Sequence, residues 1–235
     1  PSYGCMFEAP DNAQLGDNVA ELYGITKWEP PAESLDGNAE SPNSLFHKYT
    51  NIENIGNFPE VFTEGEEVVF TEKIHGTNSR IGKIASIDEN GQHVFIYVAG
   101  SHGVQRKEFN ENGVRSLYWE PLDEKTKKLL DHLCNDKHNV IIFGEIFGAG
   151  VQDMKYGFEN GKSFRAFDIA IDGNYIDFDV KMKLFSDFEI EIVPILYRGA
   201  FSFSKVEEYT SGDTVICDVK KAGKFKGREG IVITP

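Results

Sequence analysis

Along this chain the apolar residues fall mostly in short runs that alternate with polar ones, the period of strands with one face buried. Val68 to Lys73, Ser79 to Ile87 and His93 to Val98 read as strands, with Asp88-Glu-Asn-Gly91 as the turn that joins the last two. Further strands are expected at Asn139 to Phe147, Phe164 to Ile171, Tyr175 to Val180, Glu191 to Leu196 and Glu229 to Ile233. The pattern changes at Pro121 to Cys134. Proline stands in the first turn there, Leu122, Leu129, Leu130 and Leu133 share a face, and acids precede lysines, which predicts an amphipathic helix with its dipole complemented. Shorter helices are expected at Lys181 to Phe185, at Val206 to Tyr209 and around Val19 to Tyr23, the last ended by Lys27-Trp-Glu-Pro-Pro31. Strands joined by hairpins, with helices inserted, imply an α+β fold of mainly antiparallel sheets with flanking helices.

Residues 30 to 44 are rich in Pro, Ser, Asn, Glu and Gly and read as a surface linker. Residues 1–44 are therefore expected to be an extension, and 45–235 a globular domain that starts near Phe46. A hydrophobic content of 40% over 235 residues suffices for a sizeable core. No apolar run approaches the roughly 20 residues that a bilayer requires, and no signal-peptide pattern opens the chain, so no membrane association is expected. Cys5, Cys134 and Cys217 are odd in number and widely spaced, which fits a reducing intracellular compartment, cytoplasmic or nuclear, better than a disulfide framework or a zinc site. Pro1 in place of methionine reads as a fragment or a processed product.

A net charge of −14 argues against indiscriminate coating of nucleic acid, which needs clustered basic residues. Lys220-Lys-Ala-Gly-Lys-Phe-Lys-Gly-Arg228 nevertheless carries five basic side chains and no acid. Such a stretch is either a local phosphate-binding surface or a solvated loop.

The chemistry centres on Lys73-Ile-His-Gly-Thr-Asn-Ser79, at the end of the first strand. A lysine before a tight glycine turn is most often a solvated strand end. A desolvated amine beside cationic neighbours is instead a nucleophile, and Gly76 admits a backbone or phosphate where a Cβ would clash. Three later strands each carry an acid among apolar residues: Phe143-Gly-Glu-Ile-Phe-Gly148, Phe164-Arg-Ala-Phe-Asp-Ile169 and Arg228-Glu-Gly-Ile-Val-Ile233. One such acid is unremarkable at a strand end. Three in one domain imply a shared polar site, because a carboxylate among apolar groups is costly unless partnered.

This ordered set resembles the covalent nucleotidyltransferase superfamily of ligases and capping enzymes. It is most similar to ATP-dependent RNA ligases of the RNA ligase 2 type and the related group with an amino-terminal OB domain. Their first motif is Lys-x-(Asp/His)-Gly, and Glu72-Lys-Ile-His-Gly-Thr-Asn78 is the RNA ligase form of it. The resemblance covers about residues 45 to 235. It implies that Lys73 attacks the α-phosphate of ATP and holds AMP as a phosphoramidate. It further implies that Glu145 holds the ribose, that Phe167 stacks on adenine with Asp168 beside it, and that Glu229 positions Mg2+ or Mn2+. The resemblance likewise implies that Glu72, Ile74, Gly76, Asn78 and Arg80 are among the nucleotide-binding residues. Ser101, His102, Arg106 and Lys107 stand where relatives contact phosphates, and His75 is expected to brace the turn rather than bind metal.

The family's final Lys-x-Lys motif lies beyond the Glu-Gly strand. Lys224-Phe-Lys226 has that spelling but precedes the strand and is not that motif; if the chain stops at Pro235, lysine adenylylation is expected to be severely impaired. In the relatives with an OB domain, that domain precedes a stretch similar to Ile25-Thr-Lys-Trp-Glu-Pro-Pro31, so by resemblance one is expected before Pro1. The implied substrate is RNA or an RNA/DNA duplex with a nick, handled by a monomer. Two alternatives stand beside it: a DNA ligase or capping-type enzyme on the same fold, and a non-catalytic nucleotide- or nucleic-acid-binding module.

Overall fold

The computed structural model describes residues 38–235, and among them nine strands form two sheets whose ladders are all antiparallel. β1 (Glu67–Lys73) is the centre of a three-stranded sheet, flanked by β8 (Ile195–Ala200) and β9 (Gly230–Thr234). The other sheet has six strands in the order β4-β3-β2-β5-β6-β7. These are β2 (Thr77–Ile87), β3 (His93–Ser101), β4 (Gln105–Arg106), β5 (Val140–Gly148), β6 (Lys162–Ile171) and β7 (Asn174–Tyr175). The Asp88–Gly91 turn joins β2 to β3 as expected, with the Asp88 carboxylate accepting from the Asn90 and Gln92 amides.

β5 is apolar on both faces because both faces are covered. Val140 and Ile142 pack with Leu129, Leu130 and Cys134 of helix α1 (Glu124–Cys134), while Ile141 and Phe143 pack with Phe46 and Val98 on the opposite side. Helix α1 starts at Glu124 rather than near Pro121, because Asp123 caps it by accepting from the Thr126 amide at 2.8 Å. Asn135 ends it in the left-handed conformation, φ 44°.

Two strand expectations are corrected. Tyr175 to Val180 alternates like a strand, yet only Asn174–Tyr175 pairs, and Asp177 then caps helix α2 (Phe178–Asp187) through the Asp179 and Val180 amides. The strand expected at Glu191 to Leu196 begins later, at Ile195. Residues 191–193 meet Ala166 in a single parallel bridge, and Pro194, which has no amide hydrogen, separates that bridge from β8. The short helix expected at Val206 to Tyr209 lies within α3 (Phe203–Thr210), capped by Ser202. The last strand starts at Gly230, one residue after Glu229. The helix expected around Val19 to Tyr23, and the segment after it to Pro31, lie outside the described residues. No helix among those described is long and apolar enough to cross a membrane.

Candidate active site

Side chains from both sheets, from α2 and from the segment at Tyr49 line a cleft of about 210 Å³. Lys73, the last residue of β1, pairs in register with Gly230 of β9, which brings the preceding residue, Glu229, alongside it. Lys73 Nζ lies 2.5 Å from Glu229 Oε1, and His75 Nδ1 lies 3.7 Å from the same oxygen. Beyond Lys73 the chain turns sharply. The His75 amide donates to the buried Tyr156 hydroxyl at 2.8 Å, so Tyr156 braces the turn through its backbone. A Cβ on Gly76 would sit 2.2 Å from the Ile146 carbonyl oxygen, so only glycine lets this turn lie against β5.

Glu145 on β5 stands opposite Asn78 on β2, and both point into the cleft. Burial pushes the Glu145 carboxyl up to about 8, opposed by Lys73; Glu229 adds to the rise and the Gly76 amide opposes it. Asn78 Oδ1 is buried with no hydrogen-bond partner among the described residues. A buried acceptor left open in a cleft is suited to a ligand that donates to it.

On β6 a bulge sets the next two residues. Phe143 pairs with Asp168 and Gly144 with Ala166, which leaves Phe167 as the extra residue. Phe167 and Asp168 therefore both line the cleft, although neighbours in a regular strand point to opposite faces. Tyr49 packs edge-on to the Phe167 ring, centroids 5.0 Å apart at 75°. Asp168 is buried; its Oδ1 accepts from Lys181 Nζ at 2.9 Å and from the Ile169 amide, and its Oδ2 accepts from the Tyr49 hydroxyl at 2.9 Å. Burial, reinforced by Asp168, pushes the Tyr49 phenol above its ordinary range.

Of the remaining expected residues, Glu72 and Ile74 line the cleft and the others are dispersed. Ile74 lines the cleft from a buried cluster with Phe147, Tyr156 and Val193. Glu72 is buried, with Oε1 accepting from Thr214 Oγ1 at 2.5 Å and Oε2 from the Val215 amide at 2.9 Å, so the loop at 214–215 holds its carboxylate. Arg80 lies outside the cleft lining. It is buried under Phe46, 4.2 Å from that ring, and donates to the Phe46 and Ser101 carbonyls at 2.5 and 2.7 Å. Burial lowers its pKa to about 10. Ser101 ends β3 and His102 follows it, with the His102 pKa lowered by burial and by Arg80 and Lys48. Arg106 is in register with Ala99, itself paired with Ile81, and these two belong to the core under α1. Arg106 and its neighbour Lys107 thus border a separate cavity, with Tyr118, on the other side of the sheet from Asn78 and Glu145.

Glu72, Lys73, Ile74, Asn78, Glu145, Phe167, Asp168 and Glu229 are thereby brought together, with Gly76 shaping the turn; Arg80, Ser101, His102, Arg106 and Lys107 are not. Tyr49 and Lys181 complete the cleft and were not expected from the sequence. The one signal for Lys181 is its place at helical spacing among Phe178, Met182 and Phe185, a lysine within an apolar stripe.

No group of three or more His, Cys, Asp or Glu among the described residues forms a metal-binding cluster. The donor set nonetheless suits Mg2+ or Mn2+ held by one carboxylate together with substrate phosphates and water, because Glu229 offers a partly exposed carboxylate beside Lys73.

The architecture is shared with solved RNA ligase structures. Structures of Naegleria gruberi RNA ligase share it: a lysine-to-alanine mutant with ATP and Mn aligns at TM-score 0.61 and 21% identity, over 95% of this chain and 64% of that one. An arginine-to-alanine mutant with ATP and Mn aligns at TM-score 0.62 and 22% identity, over 95% and 63%. The form with PPi gives 0.61 and 22%, over 95% and 63%. The chain thus spans a little under two thirds of the length of these relatives. The RNA ligase family model matches residues 66–235, and the chain belongs to the RNA ligase family. Among curated proteins none matches it.

Proposed function

We propose that residues 45–235 are the nucleotidyltransferase domain of an ATP-dependent RNA ligase that joins 3′-hydroxyl and 5′-phosphate ends at nicks in duplex RNA or RNA/DNA. The observation that carries this reading is the approach of Lys73 Nζ to Glu229 at a cleft whose other walls are Phe167, Glu145 and the open Asn78 Oδ1. Membership of the RNA ligase family supports it.

In the first step the uncharged Lys73 amine attacks the α-phosphorus of ATP. A phosphorus–nitrogen bond forms as the bond to pyrophosphate breaks, and the amine proton leaves by way of Glu229 or solvent. Phe167 offers a flat apolar surface for the base, and Glu145 lies where it can hydrogen-bond the ribose. Glu229 is the residue that would hold Mg2+ or Mn2+, which when bound neutralises charge on the phosphates. AMP then passes from Lys73 to a 5′-phosphate, and a 3′-hydroxyl displaces it to seal the strand. Each step is a displacement at phosphorus, so alignment and charge neutralisation supply most of the acceleration.

Sealing of a nicked duplex with RNA on both sides of the break tests this reading, beside an all-DNA nick and single-stranded RNA. Joining of the RNA-containing nick that depends on ATP and on Mg2+ or Mn2+ is the expected result. Failure on every RNA substrate, or equal joining of the all-DNA nick, contradicts it.

A further inference from the structure

The proposed reaction accounts for Lys73, Glu145, Phe167 and Glu229 but leaves Lys181 without a task. Lys181 comes from the first turn of α2, and its side chain is 7% exposed. An ammonium so deeply placed is expensive to bury and needs its charge met. Asp168 meets it at 2.9 Å, and the Asp168 carboxylate is itself fixed by the Tyr49 hydroxyl and the Ile169 amide. An ammonium group has three hydrogens to donate. Asp168 is the one hydrogen-bond partner of the Lys181 ammonium among the described residues, and Lys181 lines the cleft together with Phe167.

The cleft holds two lysine–carboxylate pairs. Lys73 and Glu229 are the pair that acts on Glu145, and the proposed reaction takes place there. Lys181 and Asp168 are the other pair, beside Phe167 and Tyr49. A lysine already neutralised by a buried aspartate gives a phosphate no net attraction. It still has directed, charge-assisted donors for an uncharged acceptor. The unprotonated ring nitrogens of a purine stacked on Phe167 are acceptors of that kind.

We propose that Lys181 donates a hydrogen bond to a ring nitrogen of the purine base, and that Asp168 and Tyr49 hold the ammonium in place for it. This rests on the nucleotide-binding reading above and adds a base-recognising residue to it.

The test is calorimetric titration of the protein with ATP and with its 1-deaza, 3-deaza and 7-deaza analogues, each of which replaces one ring nitrogen with a carbon and keeps the ring's shape. One analogue is expected to bind about 10-fold or more weakly than ATP, the size of a charge-assisted hydrogen bond lost on desolvation. In Lys181→Met that analogue and ATP should bind alike. Because Lys181→Met strands a buried carboxylate, the double variant Lys181→Met/Asp168→Asn serves as a second background, with the same expectation. Equal binding of ATP and all three analogues to the unmodified protein overturns the assignment, as does a penalty that persists in both variants. No binding of ATP itself would overturn the nucleotide-binding reading as well, and the ATP titration tells that failure apart from the first.

Discussion

The cleft contains two lysine–carboxylate pairs of similar length in opposite settings. Lys73 and Glu229 are 2.5 Å apart with side chains 49% and 31% exposed, whereas Lys181 and Asp168 are 2.9 Å apart with both at 7%. Water screens the first pair, so separating it costs little. The second is desolvated, and removing either partner leaves an uncompensated charge inside the protein. A nucleophile must leave its partner to reach phosphorus, and a recognition element must stay where it is. The two pairs differ in the direction that these tasks require.

The difference can be broken at the buried end. Lys181→Met should lower the free energy of unfolding by about 3–5 kcal/mol in a denaturant titration. A loss below about 1 kcal/mol would mean that the two pairs are energetically alike.

Glu145, on which Lys73 and Glu229 act, gives a pH signature. Its pKa is raised from 4.5 to about 8 in the fold, so the native state keeps this proton at pH values where the unfolded chain has lost it. The associated stability is fully present below about pH 4.5 and is lost as pH rises through about 8, a fall on the order of a few kcal/mol. Glu145→Gln should remove that slope from a series of unfolding curves between pH 5 and 9. An unchanged slope would place the ionised carboxylate in the native state at neutral pH.

Thr214→Val should cost about 1–3 kcal/mol, because the buried Glu72 carboxylate loses a donor at 2.5 Å and keeps only the Val215 amide. The smallest effect on stability belongs to Lys73. Lys73→Met should change the unfolding free energy by less than about 1 kcal/mol, since its ion pair is half-exposed. A larger loss would show that Lys73 supports the fold as well as the chemistry.

Much of the cleft was legible in the sequence because its chemistry is local. Lys73 to Asn78 is one contiguous motif, and Glu145 and Phe167 stand on strands whose apolar patterns are plain. What was not legible depends on contacts distant in sequence or on irregular backbone. Alternation cannot reveal the bulge that turns Phe167 and Asp168 to the same face. Tyr175 to Val180 has the period of a strand, and it was the capping carboxylate of Asp177 that decided for a helix. Lys181 reads as a solvated lysine until Asp168, thirteen residues earlier, is seen beside it. Arg106 looked like a phosphate ligand by position, but its register with Ala99 and Ile81 sets it on the far side of the sheet. Arg80 is on the expected strand and spends its donors on two carbonyls instead.

The central claim is that Lys73 is the nucleophile of this cleft. Intact-mass measurement after incubation with ATP and Mg2+ or Mn2+, beside Lys73→Met, tests it most directly. The account predicts a gain equal to one AMP on the protein, either as it stands or with the family's final Lys-x-Lys motif supplied after Pro235, and none on a folded Lys73→Met. No gain in either form, or the same gain on the variant, would contradict it.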